Sequence, residues 1–142
     1  MADDGAWVRV RRVIKAPREA VFAAWTDPQS MRAWLAPYSL TVGEVSVDLR
    51  VGGSYSLMMR RDGEDLPHSG VYREIKPPER LVFTWSSSRT EHRETVVTIE
   101  LHQHPNGTEL VLTHERLPSA EAIQGHTAGW SSILDKFAAR YP

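Results

Sequence analysis

Residues 94–137, ETVVTIELHQHPNGTELVLTHERLPSAEAIQGHTAGWSSILDKF, decide how this chain folds. Over residues 94–103 and 108–116 apolar and polar side chains alternate, the period-two pattern of half-buried strands. Pro105-Asn106-Gly107 between them is the clearest turn in the sequence, so the two strands are expected to pair antiparallel. The period then changes. Ser119 can cap a helix, and Ile123, Trp130, Ile133, Leu134 and Phe137 recur at helical spacing through to Tyr141. One long amphipathic helix that follows a set of strands must cover the apolar face of their sheet. The expected class is α+β. Gly125 and Gly129 sit four apart inside this helix, at a cost of roughly 1 kcal/mol each relative to alanine, which suggests close approach to the sheet or to a ligand.

Upstream, residues 40–50, 54–61, 68–76 and 81–87 read as four further strands. Gly52-Gly53, the hairpin signal Asp62-Gly63 and Pro77-Pro78-Glu79-Arg80 punctuate them. Residues 7–14 make the first strand, with Val8, Val10 and Ile14 on one face and Arg12 among them, where it is expected to meet an acidic partner. Ala16-Pro17-Arg18-Glu19 opens a short helix with Pro17 in its first position and Val21, Phe22 and Trp25 on its apolar face. Asp27-Pro28 caps and starts a second, which carries Met31, Trp34 and Leu35 and ends at Pro37. The chain shows no internal repeat or linker, so its 142 residues are expected to form one domain, 1–142, with a core over about 7–140.

Composition removes several function classes. A net charge of −1 gives no general attraction to nucleic acid or to anionic membranes. The absence of cysteine excludes a disulfide, a thiolate nucleophile and a cysteine-ligated metal. No stretch approaches the ~20 apolar residues of a membrane span, and the acidic start Met-Ala-Asp-Asp-Gly is unlike a secretion signal. A cytoplasmic location is the expectation. No nucleophile elbow, P-loop or dinucleotide fingerprint occurs.

Tryptophan is unusually abundant, with five residues. Trp25, Trp34, Trp85 and Trp130 fall in four separate predicted elements, while Trp7 lies on the opposite face of the first strand. Each indole buries roughly 150–250 Å² and brings one N–H that seeks an acceptor. Such rings converge either on plain core or on the wall of a cavity, and a curved sheet around one helix leaves space of the kind that holds small ligands.

Several segments carry a resemblance. Ala16-Pro17-Arg18-Glu19-Ala20-Val21-Phe22-Ala23-Ala24-Trp25-Thr26-Asp27-Pro28 with Trp34, Gly52-Gly53, Gly70 to Ile75, Pro78 to Trp85, Gly107-Thr108, Leu112-Thr113-His114 and Gly129-Trp130 run in order over nearly the whole chain. Together they resemble the AHSA1-like branch of the START-like (SRPBCC, Bet v1-like) superfamily. The resemblance implies a helix-grip fold: a curved antiparallel sheet wrapped around a long C-terminal helix, two short helices after the first strand, and a deep hydrophobic cavity between sheet and helix. It implies a range of activities, from lipid and sterol carriers and hormone receptors to polyketide aromatase/cyclases, antibiotic self-resistance proteins and the Hsp90 co-chaperone that names the branch. That co-chaperone has a separate domain with an asparagine- and tryptophan-rich motif, which these residues lack, so Hsp90 is the less expected partner.

The expected ligand cavity is lined by Trp25, Trp34, Leu57, Met59, Phe83, Trp85, Ile99, Leu112, His114, His126, Trp130 and Leu134, with Val97 beside them. Trp85 and Trp130 are expected to face each other across the gap. Taken singly, each of these residues also reads as ordinary core. His114 shares a strand face with Leu110 and Leu112, and His126 stands four residues before Trp130 on one helical face. These imidazoles are expected to be polar groups in an apolar cavity, either as satisfied core histidines or as proton shuttles. His102 and His104 form a His-x-His pair without a third ligand, and His68 and His92 fall in or near loops, on the surface. Glu74, Glu115 and Asp135 are carboxylates without a telling partner.

The reading favoured is a binding protein for a small hydrophobic molecule, acting without covalent chemistry, catalytic residue, metal or cofactor. The alternatives are a polyketide cyclase/aromatase-like enzyme that uses a cavity histidine and a co-chaperone-type domain. Monomer and homodimer are both compatible with the sequence.

Overall fold

In the computed structural model, which describes residues 7–142, seven antiparallel strands form one curled sheet in the order β1-β7-β6-β5-β4-β3-β2. The strands are β1 (Val8–Ile14), β2 (Thr41–Val47), β3 (Ser54–Arg61), β4 (Glu64–Lys76), β5 (Arg80–Trp85), β6 (Thr95–His104) and β7 (Gly107–Glu115). Helices α1 (Arg18–Thr26) and α2 (Pro28–Trp34) follow β1, and α3 (Ala120–Ala139) closes the chain. This is the helix-grip arrangement. No described helix is long and apolar enough to cross a membrane.

Local chemistry sets the boundaries. Asp62 and Gly63 both take positive φ, 50° and 83°, which turns β3 directly into β4 as an Asp-Gly hairpin should. Asp27 caps α2, its side chain accepting from the Gln29 N–H, and Ser119 caps α3 by accepting from Ala122 N–H at 3.1 Å. Pro17 stands one position earlier than its sequence suggests, as the extended residue before α1 with ψ 157°, where its fixed φ serves equally well.

Register aligns the inner face. Val8, His114, Val97, Phe83 and Tyr72 lie side by side across β1, β7, β6, β5 and β4, and Val10, Leu112, Ile99 and Leu81 form the adjoining row. All nine are buried. Helix α3 lies along this face, presenting Trp130, Ile133, Leu134 and Phe137 inward. It is tied to β1 by Arg12, which donates from Nε to Asp135 at 2.9 Å and from Nη2 to Ser131 Oγ at 3.2 Å. Arg12 therefore does meet a carboxylate, on a partly exposed rim.

At Gly70 the sheet leaves no room for a side chain. A Cβ there would lie 1.9 Å from the Thr84 carbonyl oxygen and 2.6 Å from the Tyr55 ring. The vacancy lets the Tyr55 hydroxyl reach over and donate to that same carbonyl at 2.5 Å. Gly70→Ala must push β4 off its neighbour, so its melting temperature is expected to fall by roughly 10 °C, a cost of about 3 kcal/mol in a domain of this size. A thermal melt that matches wild type would show that the strands separate freely here.

Candidate functional site

Among the described residues the inner layer does not enclose one large cavity. Between the sheet and the C-terminal half of α3 the indoles meet directly. Ring centroids are 4.7 Å apart for Trp25 and Trp34, 6.4 Å for Trp25 and Trp130, 5.0 Å for Trp85 and Trp130, and 4.5 Å for Trp34 and Phe137. The gap expected between Trp85 and Trp130 is thus closed by contact, because indole area fills it. What remains beneath them is a void of about 10 Å³ bounded in part by Trp25, Phe83 and Trp85, room for about one water.

Open space lies instead beside the N-terminal half of α3. A cleft of about 560 Å³ opens there, with Trp130, Ile133 and Ala122 of the helix on one side and Met59, Leu66 and Trp85 of the sheet on the other. Gly125 and Gly129 floor the helix side, and the loop carrying Pro37, Tyr38 and Leu40 forms one rim. That loop is pinned to α3: Lys136 Nζ donates to the carbonyls of Ala36, at 2.7 Å, and Tyr38, and the Tyr38 N–H donates to Ser132 Oγ at 2.8 Å. The opposite rim is the short turn Ser88–Thr90, with Arg89 and, just beyond it, Glu91. A larger, shallower recess near Lys15–Glu19 has mostly polar walls and none of this apolar lining.

Of the residues expected to line a cavity, Met59, Trp85, His126 and Trp130 border the cleft. Trp25 and Phe83 border the small void. Trp34, Leu57, Ile99, Leu112, His114 and Leu134 border neither, and like Val97 they lie in the closed core. His114 in particular has no exposed surface.

His114 is held as a hydrogen-bond relay. Trp130 Nε1 can only donate, and it does so to His114 Nδ1 at 2.9 Å, so the ring proton must sit on Nε2. Nε2 faces Thr95 Oγ1 at 2.7 Å, and that hydroxyl donates to the Trp85 carbonyl at 2.5 Å. Both ring nitrogens are committed. Burial, with His126 adding to it, holds the His114 pKa well below the usual histidine value. A group with no free nitrogen and no exposure has no route to a substrate, which removes His114 as a proton shuttle.

His126 and His68 differ. His126 packs its ring on His114 at 4.8 Å between centroids, and its Nδ1 donates to the Ala122 carbonyl at 2.7 Å. His68, expected on the surface, is buried to 7% exposure on the inner face of β4, its ring tilted against Trp85 at 5.0 Å between centroids, with Nδ1 donating to Leu66 O at 2.9 Å. Burial is the main reason its pKa falls to about 4, against the Leu66 hydrogen bond and with smaller contributions from His126 and Arg89. Burial likewise lowers His126, opposed by the Ala122 hydrogen bond and reinforced by Arg89. Both rings line the cleft as neutral imidazoles.

The sequence puts His68 at the first residue of a strand over 68–76, next to a loop, whereas β4 begins at Glu64 and holds His68 well inside it. Asp62-Gly63 commits residue 64 to pairing, and the register then sets Leu66 opposite Met59 and His68 opposite Leu57 on the inner face. β5 pairs only with the stretch from Tyr72 onward, so Pro67 stands on a local edge where proline is tolerated. The other candidates are peripheral. Glu74 pairs with Arg80 at 3.1 Å, Asp135 with Arg12, and Glu115, His92 and His102 are exposed. Among the described residues no three His, Cys, Asp or Glu side chains group as metal ligands would.

Comparison with known proteins agrees with this architecture. Residues 15–141 match the family profile described as activator of Hsp90 ATPase homolog 1-like protein. The structure is similar to protein CV1439 of Chromobacterium violaceum, with 29% identity, 96% of each chain covered and a TM-score of 0.88. It is similar also to the AHSA1 protein of Silicibacter pomeroyi, at 30% identity over 95% of this chain and 96% of that one with a TM-score of 0.80. The AHSA1-like protein of Aeromonas hydrophila gives 28%, coverages of 95% and 90%, and a TM-score of 0.79. No curated protein sequence matches the chain. With its profile matched over residues 15–141 and its sheet, short helices and gripping helix all in place, the chain belongs to the AHSA1-like family of helix-grip domains.

Proposed function

We propose that the protein binds a small hydrophobic molecule in the cleft beside α3 and acts on it by desolvation, without covalent chemistry. The observation that carries this reading is the pair of helix glycines. A Cβ on Gly125 would meet nothing within 4 Å, and one on Gly129 only Pro37 Cβ at 4.0 Å. No packing requires either glycine, although each weakens the helix by about 1 kcal/mol relative to alanine. What they do is keep the cleft open. Its volume suits a drug-sized ligand, and about half of its lining is apolar, with Met59, Leu66, Trp85, Trp130 and Ile133 among it. Family membership supports ligand binding in general terms.

A cyclase-like reaction finds less support. His126 is the remaining candidate shuttle, and it has no carboxylate or nucleophile hydrogen-bonded to it. A protein partner of the Hsp90 type rests on the family description alone.

Filling the cleft from the helix side separates binding from folding. Gly129→Leu is expected to raise the melting temperature by a few degrees through helix propensity and to reduce affinity for the fluorescent apolar probe N-phenylnaphthylamine at least about tenfold. Unchanged probe affinity in a stably folded variant would sink the reading.

A further inference from the structure

The cleft offers two nitrogen lone pairs and no protein group that uses them. A neutral imidazole has one donor and one acceptor nitrogen. In His68 and His126 the donor is Nδ1, since each bonds a backbone carbonyl, which can only accept. The acceptor is therefore Nε2 in both rings. Neither Nε2 has a hydrogen-bond partner among the described residues, and neither is sealed from the cleft. The sealed, unpartnered side-chain polar atoms are the indole N–H groups of Trp25, Trp34 and Trp85, a different set.

Both rings are also fixed in place. His68 is held by its Leu66 hydrogen bond and its contact with the Trp85 ring, and His126 by its Ala122 hydrogen bond and its contact with His114. Held acceptors lose little freedom when a donor arrives, which favours affinity. The charges at the rim give no preference for a charged donor. Among the described residues Arg89 makes no ion pair, and both imidazoles feel its positive charge. Glu91 and Glu121, exposed in the same lining as Arg89, offset it, and Arg61 is occupied by Glu64 at 3.4 Å. A charged donor would give up its hydration with no counter-charge at the imidazoles, whereas an uncharged hydroxyl gives up less.

We infer that the ligand is a neutral hydroxyl compound, an alcohol or phenol on an apolar body, whose O–H is donated to His68 Nε2, with His126 Nε2 placed for a second donor. This assignment rests on the ligand-binding reading above and goes further, since it names the polar group that the ligand carries and the atoms that receive it.

Three probes of one shape test it on the full chain at neutral pH: naphthol, its methyl ether and naphthalene. The ether keeps the oxygen but has no proton to donate. Naphthol is expected to bind about tenfold more tightly than the ether, the size of one good hydrogen bond, and to shift the ¹⁵N resonance of His68 Nε2 where the ether does not. His68→Phe keeps an aromatic ring beside Trp85 but removes the acceptor, and is expected to erase naphthol's advantage over its methyl ether. Equal affinities for all three probes, with no movement of the Nε2 resonance, would overturn the hydroxyl assignment and leave apolar binding intact. If none of the three binds, both readings fall together. The resonance test on the unaltered chain stands even if the variant does not fold.

Discussion

Replacing Trp130 with alanine is expected to destabilise the protein by about 5 kcal/mol, the largest effect of any single change considered. Two losses combine. The indole is buried and fills the centre of the aromatic cluster, in contact with Trp85 at 5.0 Å and Trp25 at 6.4 Å, so its removal leaves a large cavity that rigid neighbours cannot collapse into. It also strips His114 Nδ1 of its donor and leaves a buried acceptor unpaired. Domains of this kind are stable by only about 5–15 kcal/mol, so the variant should be partly unfolded at room temperature or have a urea midpoint close to zero. Trp130→Phe separates the terms: it keeps most of the ring and loses the N–H, and should cost about 2 kcal/mol. A midpoint for the alanine variant within error of wild type would mean that Trp130 is a pliable cleft wall and not the centre of the core.

Acid is the second strong perturbation. His68, His114 and His126 all have folded-state pKa values below the usual 6.5, with His68 near 4. The sign follows directly. Between the unfolded and folded values the unfolded chain binds protons that the native state refuses, so stability is complete above pH 6.5 and drains away as the pH falls. Each group contributes a slope of up to about 1.4 kcal/mol per pH unit. For His68 the loss runs from 6.5 to about 4, on the order of 3 kcal/mol, and His114, held below the usual value by burial, adds to it. Urea unfolding at pH 7.5, 6 and 5 should therefore give steadily lower midpoints, with the slope reduced in His68→Phe. A flat profile across that range would mean that these imidazoles accept protons in the folded state, and the relay drawn through His114 would have to be abandoned.

Fold and site were not equally open to inspection of the sequence. Strand alternation, the Asp62-Gly63 and Asn106-Gly107 turns, and the caps at Asp27 and Ser119 act within a few residues of themselves, so they could be read without knowing the fold. Arg12 on an apolar strand face forecast its carboxylate partner, and Asp135 supplied it. The inward faces were also legible, since period-two alternation fixes them in the strands and helical spacing in the helices. Whether an inward residue meets a neighbour or empty space depends on how far α3 stands from the sheet at that point. Alternation carries no such information. Trp34, Leu112 and Leu134 all face inward correctly and touch only other side chains, whereas Met59 and His126 face inward and border the cleft. The clue to the position of the cleft lay in Gly125 and Gly129, whose missing side chains fall where the space is. His68 required one more step, from hairpin to register, and only the paired strand reveals it.

The aromatic cluster has an optical consequence. Trp34, Trp25, Trp130 and Trp85 form a chain of neighbours no more than 6.4 Å apart, close enough for excitation absorbed by one to pass to the others before it is emitted. Trp7, 45% exposed at the start of β1, lies outside that chain and emits as a solvated indole. The intrinsic fluorescence is thus the sum of one antenna and one isolated lamp. The antenna ends at Trp85, whose ring forms part of the cleft wall and rests against the imidazole of His68. Excitation shared over the core thus visits an indole that touches both the cleft and its polar anchor, so an occupant of the cleft is expected to alter the emission of the whole cluster and leave that of Trp7 unchanged.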